Sequence, residues 1–287
     1  MQHQDEFGAH VSSAGGADKA PERASEIEST SFQLFTKQPS RWAEPVVDEA
    51  LRNAFLRERE GHNIRVASAH DSYLINLSSP DPALWERSYR CFVGELQRCV
   101  ALELDFLVTH PGNATDGDMA GGLERNAHGV ALALEEVEGR TRLLLEITAG
   151  SGTSVGSTLE NLAEIIDRIP PAQRHRVGIC FDTCHAYSAG YDLVSDYEGV
   201  WSAFDDVIGL DRLGIFHMND SRNPFDSRKD RHEHLGQGSL GLEPFRRIVM
   251  DERFVSIPKI LETPKEDDPV TNDLRNLGIL RGFRTGS

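Results

Sequence analysis

Residues 143–182 read LLLEITAGSGTSVGSTLENLAEIIDRIPPAQRHRVGICFD. The stretch begins and ends on short apolar runs, 143–147 and 177–182, of the length of buried strands. Between them, residues 158–169 carry an amphipathic helical pattern. Strand, helix, strand in this order implies two parallel strands joined by a right-handed crossover. Each run also carries a carboxylate at its C-terminal side, Glu146 in the first and Asp182 in the second. The same alternation extends in both directions. Further short apolar segments fall at 6–9, 31–35, 65–69, 106–109, 213–217 and 258–261, and further helical patterns at 85–104, 123–137 and 242–249. Eight strand–helix units allow a closed barrel or an open doubly wound sheet. The open sheet usually follows its first strand with a glycine-rich phosphate turn. Here Gly8-Ala9-His10 is followed by Val-Ser-Ser-Ala-Gly-Gly, which lacks the G-x-G-x-x-G spacing. Eight units in 287 residues favour an α/β (β/α)8 barrel, expected to form one domain over residues 1–287.

Composition agrees with a globular chain. Hydrophobic residues make up 39% and charged residues 26%. No segment approaches the ~18 uninterrupted apolar residues of a membrane span. The first residues lack a basic start followed by an apolar run, so no signal peptide is expected. Cys91, Cys99, Cys180 and Cys184 form no CxxC pair and are read as reduced, mostly core thiols of a cytoplasmic protein. The formal charge of −16 weighs against nonspecific nucleic-acid binding, which depends on Lys and Arg neutralising phosphates. Bound divalent cations can invert the sign of a local field, so the total charge does not exclude a DNA substrate.

Metal-binding residue types sit at successive strand ends. His70 follows the third segment and His110 the fourth; Glu146 lies in the fifth. Asp182 ends the sixth, with His185 three residues on. His217 ends the seventh and Glu262 follows the eighth, while Asp230 and His232 lie in the long polar loop 220–241. In a barrel all strand C-termini open at one mouth, so these residues converge. Imidazoles with carboxylates suit zinc, and also manganese or iron, better than calcium. Nine candidates exceed one four-coordinate ion and suggest two or three sharing a carboxylate. Taken singly, each has a structural reading: a hydrogen-bonded His, a Glu paired with an Arg, a capping Asp. Six consecutive strand ends carrying such groups make independent structural explanations hard to sustain. His3, His62, His128 and His175 fall in polar or helical stretches and are expected at the surface. His234 is expected to be solvated or to support a ligand, and His10 is a candidate supporting residue. Cys180 and Cys184 flank Asp182 and are read as packing residues.

The segments that carry these residues resemble the endonuclease IV family of apurinic/apyrimidinic endonucleases. They are GAHVSSAGG (8–16), FQLFTK (32–37), HDSYLINL (70–77), HPG (110–112), LLLE (143–146) with TAGSG (148–152), FDTCHAYSAGYDL (181–193), HMNDS (217–221), SRKDRHEHLGQGSLG (227–241) and LETPK (261–265). The resemblance covers nearly the whole chain, and the blocks around Asp182 and Asp230 are the most specific. It implies a TIM barrel holding three zinc ions. His70, His110 and Glu146 would hold one; Glu146, bridging, would join Asp182, His217 and Glu262 on the second; His185, Asp230 and His232 would hold the third. Tyr73 and Leu74 match the pair that wedges into DNA at a lesion. The chain departs from the family pattern at Ile147, where a small polar residue or Thr is usual. It departs also at Asn113-Ala114, where a second His is missing, at Asp226 in place of Gly, and at Ser40, with Arg41 beside it, where the duplex-penetrating Arg is expected.

The implied substrate is double-stranded DNA containing abasic sites, cut by a monomeric enzyme. Clustered zinc can supply a nucleophile, charge neutralisation and leaving-group stabilisation. Glu146 and Glu262 are the catalytic candidates, Glu262 as a ligand that also orients water. Extruding a nucleotide without a base is cheap, and side chains can fill the gap it leaves. Arg41, Lys37, Arg222, Arg228 and Arg231 are candidate backbone contacts. A metal-dependent sugar isomerase or epimerase on the same barrel is the alternative enzyme, typically with one or two ions. A noncatalytic DNA-binding scaffold is the alternative outside catalysis. Metal content separates the three readings.

Overall fold

A computed structural model describes residues 5–285; His3 lies outside the described residues. The strands are β1 (Phe7–His10), β2 (Ser31–Phe35), β3 (Val66–His70), β4 (Phe106–Thr109), β5 (Arg142–Glu146), β6 (Val177–Asp182), β7 (Leu213–His217), β8 (Asp220–Ser221), β9 (His232–Glu233) and β10 (Lys259–Leu261). The helices are α1 (Ala20–Glu26), α2 (Glu49–Gly61), α3 (Pro82–Ala101), α4 (Met119–Glu136), α5 (Leu159–Arg168), α6 (Thr183–Ser188), α7 (Tyr197–Val207), α8 (Glu243–Met250) and α9 (Pro269–Thr285). Eight strands close a parallel ring in the order β1-β10-β7-β6-β5-β4-β3-β2, and β8 pairs antiparallel with β9 outside it. The α/β barrel expected from the alternation is therefore the fold observed.

Two cores follow from the strand pattern. Inside the ring, Val108, Leu144, Cys180, Ile215 and Ile260 pack against each other, one from each of five strands. Gly214 leaves room there, since a Cβ on it would lie 2.6 Å from a Leu144 methyl. Outside the ring, strand residues of opposite parity meet the helices, with Trp201 buried among Phe181, Phe216 and Phe254. Helix starts are set by short polar side chains. Asp81 accepts from the backbone N–H groups of Ala83 and Leu84, and Thr158 from that of Asn161.

The N-terminal end of the ring is closed by an ion pair. Lys259 is fully buried, and its Nζ donates to Asp5 Oδ1 (3.0 Å) and to the carbonyls of Phe254 (2.7 Å) and Ile257 (2.9 Å). Asp5 also accepts from Arg284 Nε at 2.6 Å, which ties α9 to the floor. All three ammonium protons thus have acceptors. Among the described residues, no helix is long and apolar enough to cross a membrane.

Candidate metal centre

The opposite end of the ring holds the nine donor residues read from the strand ends. Strands β3, β5, β6 and β7 finish on His70, Glu146, Asp182 and His217, while His110 and Glu262 directly follow β4 and β10. His185 lies on α6, which starts one residue after β6. Asp182 caps that helix, its Oδ1 accepting from His185 N at 2.8 Å, so the cap orients a carboxylate and an imidazole together. His232 is delivered by β9, and Asp230 stands just before it.

The donor atoms fall into three groups, each within 4.8 Å: His70, His110 and Glu146; Glu146, Asp182, His217 and Glu262; His185, Asp230 and His232. Glu146 is fully buried and divides its oxygens. Oε2 faces His70 Nε2 (3.2 Å) and His110 Nε2 (3.4 Å), whereas Oε1 faces His217 Nδ1 and His185 Nδ1 (3.1 Å each). Glu262 Oε2 lies 3.3 Å from the same His217 nitrogen. In the third group, Asp230 Oδ1 lies 3.2 Å from His185 Nε2 and 3.4 Å from His232 Nε2.

These separations fit a metal. Two donors each about 2.0–2.1 Å from a tetrahedral zinc stand about 3.3–3.4 Å apart, and the contacts above cluster at that value. Ordinary charge-assisted hydrogen bonds are shorter, about 2.7–2.9 Å. The outward nitrogens fit as well. His70 Nδ1 meets the Asp71 carbonyl (3.0 Å), His185 Nδ1 the Ile147 carbonyl and Glu146 Oε1 (3.1 Å each) and His232 Nδ1 the Glu262 carbonyl (3.2 Å). A carbonyl only accepts, so in each ring that nitrogen carries the proton and Nε2 is left free toward its group.

Electrostatics point the same way. Burial pushes the Glu146 and Glu262 carboxyls up, but the surrounding imidazoles outweigh it and hold both well below the usual carboxylate range. Burial lowers His185 and His217; nearby carboxylates reverse that for His185, and Cys180 with Glu262 and Glu146 for His217, so both stand well above the usual histidine range. A divalent cation suits such a set of donors, displacing imidazole protons as it binds. Cys180 and Cys184 lie within reach of two of these groups. Burial raises both thiols, Cys184 to about 12, and Cys180 packs within the inner core of the ring.

The DNA-facing candidates have mixed placements. Tyr73 is 70% exposed and rests edge-on against Phe35 at 5.2 Å; Leu74 beside it is half-buried. Arg41 is exposed. Lys37 is not the surface cation expected from its sequence surroundings. Its side chain is buried, and Nζ donates to Glu44 Oε1 (2.6 Å), the Arg41 carbonyl (2.9 Å) and Cys91 Sγ (3.0 Å). Arg98, from α3, completes the cluster through Glu44 Oε2 at 2.7 Å and Glu95 Oε2 at 3.1 Å. Arg222 and Arg228 are exposed and paired with Glu233 and Asp226, and Arg231 is exposed. His62 is half-buried, not fully exposed; His128 and His175 are exposed as expected. His234 is buried and accepts from Asn276 Nδ2 at 2.9 Å, which replaces the solvated alternative with a role in docking its loop onto α9. Asp226 has φ 56°, the left-handed region that favours the family's glycine.

Two buried residues escape the strand-end reading. Asn219 donates from Nδ2 to Asp182 Oδ2 (2.7 Å) and accepts at Oδ1 from Glu262 N (2.8 Å). Gln33, inside β2, contacts Glu262, His217 and His10. The available signal is polarity out of place, an uncharged amide within the apolar run Phe32–Phe35. Six of the nine donors, His70, His110, His185, Asp230, His232 and Glu262, line with the flanking loops a cleft of about 880 Å3 open to solvent, running past Tyr73 toward Val46.

Comparison with known proteins places this architecture. The family described as xylose isomerase-like TIM barrel matches residues 21–281. The chain is 42% identical over 285 residues to "Probable endonuclease 4" of Chloroflexus aurantiacus, covering 98% of this chain and 99% of that protein. The crystal structure of endonuclease IV from Thermus thermophilus superposes with a TM-score of 0.87 at 36% identity, covering 98% of this chain and all of that one. A D-tagatose 3-epimerase-like protein shares the fold alone, with a TM-score of 0.68 at 17% identity over 98% of this chain and 97% of the other. With full-length identity above 40% and the same barrel, this chain belongs to the endonuclease IV family.

Proposed function

We propose that the chain is a zinc-dependent DNA-repair endonuclease. It hydrolyses the phosphodiester 5′ to an abasic site in double-stranded DNA, leaving a 3′-hydroxyl and a 5′-deoxyribose phosphate, and it trims blocked 3′ ends. The observation that carries this reading is the third donor group, His185, Asp230 and His232, beside the pair of groups that share Glu146. A sugar isomerase, with one or two ions, has no use for it.

In this reading His70, His110 and Glu146 hold one zinc. Glu146, Asp182, His217 and Glu262 hold a second, and His185, Asp230 and His232 a third. Manganese or iron suits some of the same donors. Bound zinc supplies charge neutralisation at the phosphate and a water acidic enough to ionise near neutral pH. The protein does the rest. Glu146, fully buried and split between two groups, fixes their spacing. Glu262 is the more open of the two carboxylates, its side chain 18% exposed, and takes the proton-orienting role toward an attacking water. Tyr73 and Leu74 fill the space left where the damaged nucleotide is turned out, and Arg41 steadies the backbone. The acidic total charge makes binding depend on these few contacts and on the metals, and affinity falls with salt.

The test is cleavage of a duplex carrying one abasic-site analogue, with an undamaged duplex as control. Cutting just 5′ of the lesion, lost on chelation and restored by zinc, supports the proposal. A fully metal-loaded protein that leaves the lesion intact rejects it. A Glu262→Gln variant that binds full metal and still cuts at the wild-type rate removes the water-orienting role alone.

A further inference from the structure

Gln33 sits at the centre of β2, fully buried, with its side chain inside the mouth. Its amide makes three contacts, all at the candidate site. Nε2 donates to Glu262 Oε1 at 2.6 Å and faces His10 Nδ1 at 3.1 Å, while Oε1 lies 3.0 Å from His217 Nε2. These contacts orient one another. Turning the amide over would set its oxygen against a carboxylate oxygen 2.6 Å away, so the nitrogen stays toward Glu262. The oxygen, which can only accept, then faces His217 and requires the proton on His217 Nε2. His217 Nδ1 is left with its lone pair toward Glu146, Glu262 and Asp182, at 3.1, 3.3 and 3.9 Å. Glu262 Oε1 is occupied by the amide, which leaves Oε2 as the oxygen turned to the same place. His70 and His232 have their tautomers set by backbone carbonyls, and His185 Nδ1 lies between the Ile147 carbonyl and Glu146 Oε1, 3.1 Å from each. The outer nitrogen of His217 faces the Gln33 side chain instead.

We propose that Gln33 is a positioning residue that selects the donor atoms of the middle group, fixing the tautomer of His217 and the rotamer of Glu262 with one amide. His10 Nδ1 lies beside both members of the amide–Glu262 contact, 3.1 Å from the amide nitrogen and 3.5 Å from Glu262 Oε1. The proposal rests on the reading of Asp182, His217 and Glu262 as ligands of one ion. It deepens that reading by naming what makes this group selective for a metal. Outer partners of this kind typically tune metal affinity about 10- to 100-fold.

The test is zinc content and affinity by chelator competition, with ring nitrogen-15 shifts of His217 recorded in the zinc-loaded protein, where the imidazole has given up one proton. Gln33→Met keeps the volume and removes every hydrogen bond. It is expected to weaken one ion of three about 10- to 100-fold and to leave His217 in mixed tautomers, with the other two ions held at wild-type affinity. Gln33→Glu keeps an acceptor for His217 and sets a carboxylate where the donor to Glu262 stood. It is expected to preserve the tautomer and weaken that one ion while the other two stay at wild-type affinity; a merely structural role lowers all three together. If Gln33→Met does not fold, Gln33→Glu carries the test by the same readouts. Wild-type protein holding about three zinc, with both variants matching its affinity and its His217 tautomer, overturns the proposal and leaves the metal reading standing. Wild-type protein that takes up no zinc overturns both.

Discussion

The two ends of the barrel bury charge in opposite ways. At the floor, Lys259 has three acceptors for three protons at 2.7–3.0 Å, and Asp5 answers both Lys259 and Arg284. Every group there is satisfied by the protein itself. At the mouth, carboxylates and imidazoles stand 3.1–3.4 Å apart in three groups, Asp182 lying further off at 3.9 Å from His217, and inward atoms face one another. The floor is built to be finished by folding, the mouth to be finished by something added. The contrast separates charge buried for stability from charge buried for chemistry, a distinction that burial alone does not make.

Substitutions at the two ends should therefore part company. The largest effect is expected from Glu146→Gln, which removes a charge shared by two groups. Cleavage of an abasic duplex should fall on the order of 10³-fold or more, about 4 kcal/mol of barrier, measured per folded molecule; a smaller loss breaks the comparison at the mouth. Lys259→Met does the reverse. It leaves Asp5 short of a partner and should cost about 3–5 kcal/mol of unfolding free energy in denaturant titration, with cleavage per folded molecule unchanged. Tyr73→Ala sharpens the mouth further. Stability should stay within about 0.5 kcal/mol, while efficiency on an abasic duplex drops about tenfold, the scale of one lost aromatic contact.

The cluster of Lys37, Glu44 and Arg98 lies near the mouth yet is wired like the floor, and acid titration can expose that. Burial raises the Glu44 carboxyl, but hydrogen bonds from Lys37 and Arg98 outweigh it and lower it from 4.5. A lowered carboxylate stabilises the fold fully above its unfolded value and loses that contribution as pH falls through the folded value. The melting-temperature gap between wild type and Glu44→Gln should therefore be steady near neutrality and close below about pH 4.5. A gap that widens in acid contradicts the assignment. The smallest effect is expected at Asp226, whose φ of 56° costs backbone strain while its carboxylate pairs with Arg228. Asp226→Gly should raise unfolding free energy by no more than about 1 kcal/mol, relief of strain offset by loss of an exposed pair.

The barrel is legible because each apolar strand is short, regularly spaced and closed by a polar residue. The convergence of the nine donors is legible for the same reason, since strand ends in a closed ring share one mouth. What escapes the sequence depends on partners far along the chain. Lys37 reads as one of several basic residues beside Arg41, and its burial comes from Glu44 and from Arg98 on α3. His234 reads as a neighbour of His232, yet His234 docks on Asn276 of α9 while His232 faces the donors. Gln33 is hidden because it lies in the middle of a strand, where the pattern promises only packing.

The seam that closes the ring joins Phe7 to Lys259, and Glu262 follows three residues after that lysine. During synthesis the first strand must wait for about 250 further residues, some tens of seconds at ordinary ribosomal speed. The residue completing the middle donor group emerges almost together with the lysine that seals the floor. A chain released before β10 thus has neither a closed ring nor a full set of donors. By this order of assembly, the donors are complete only once the ring can close.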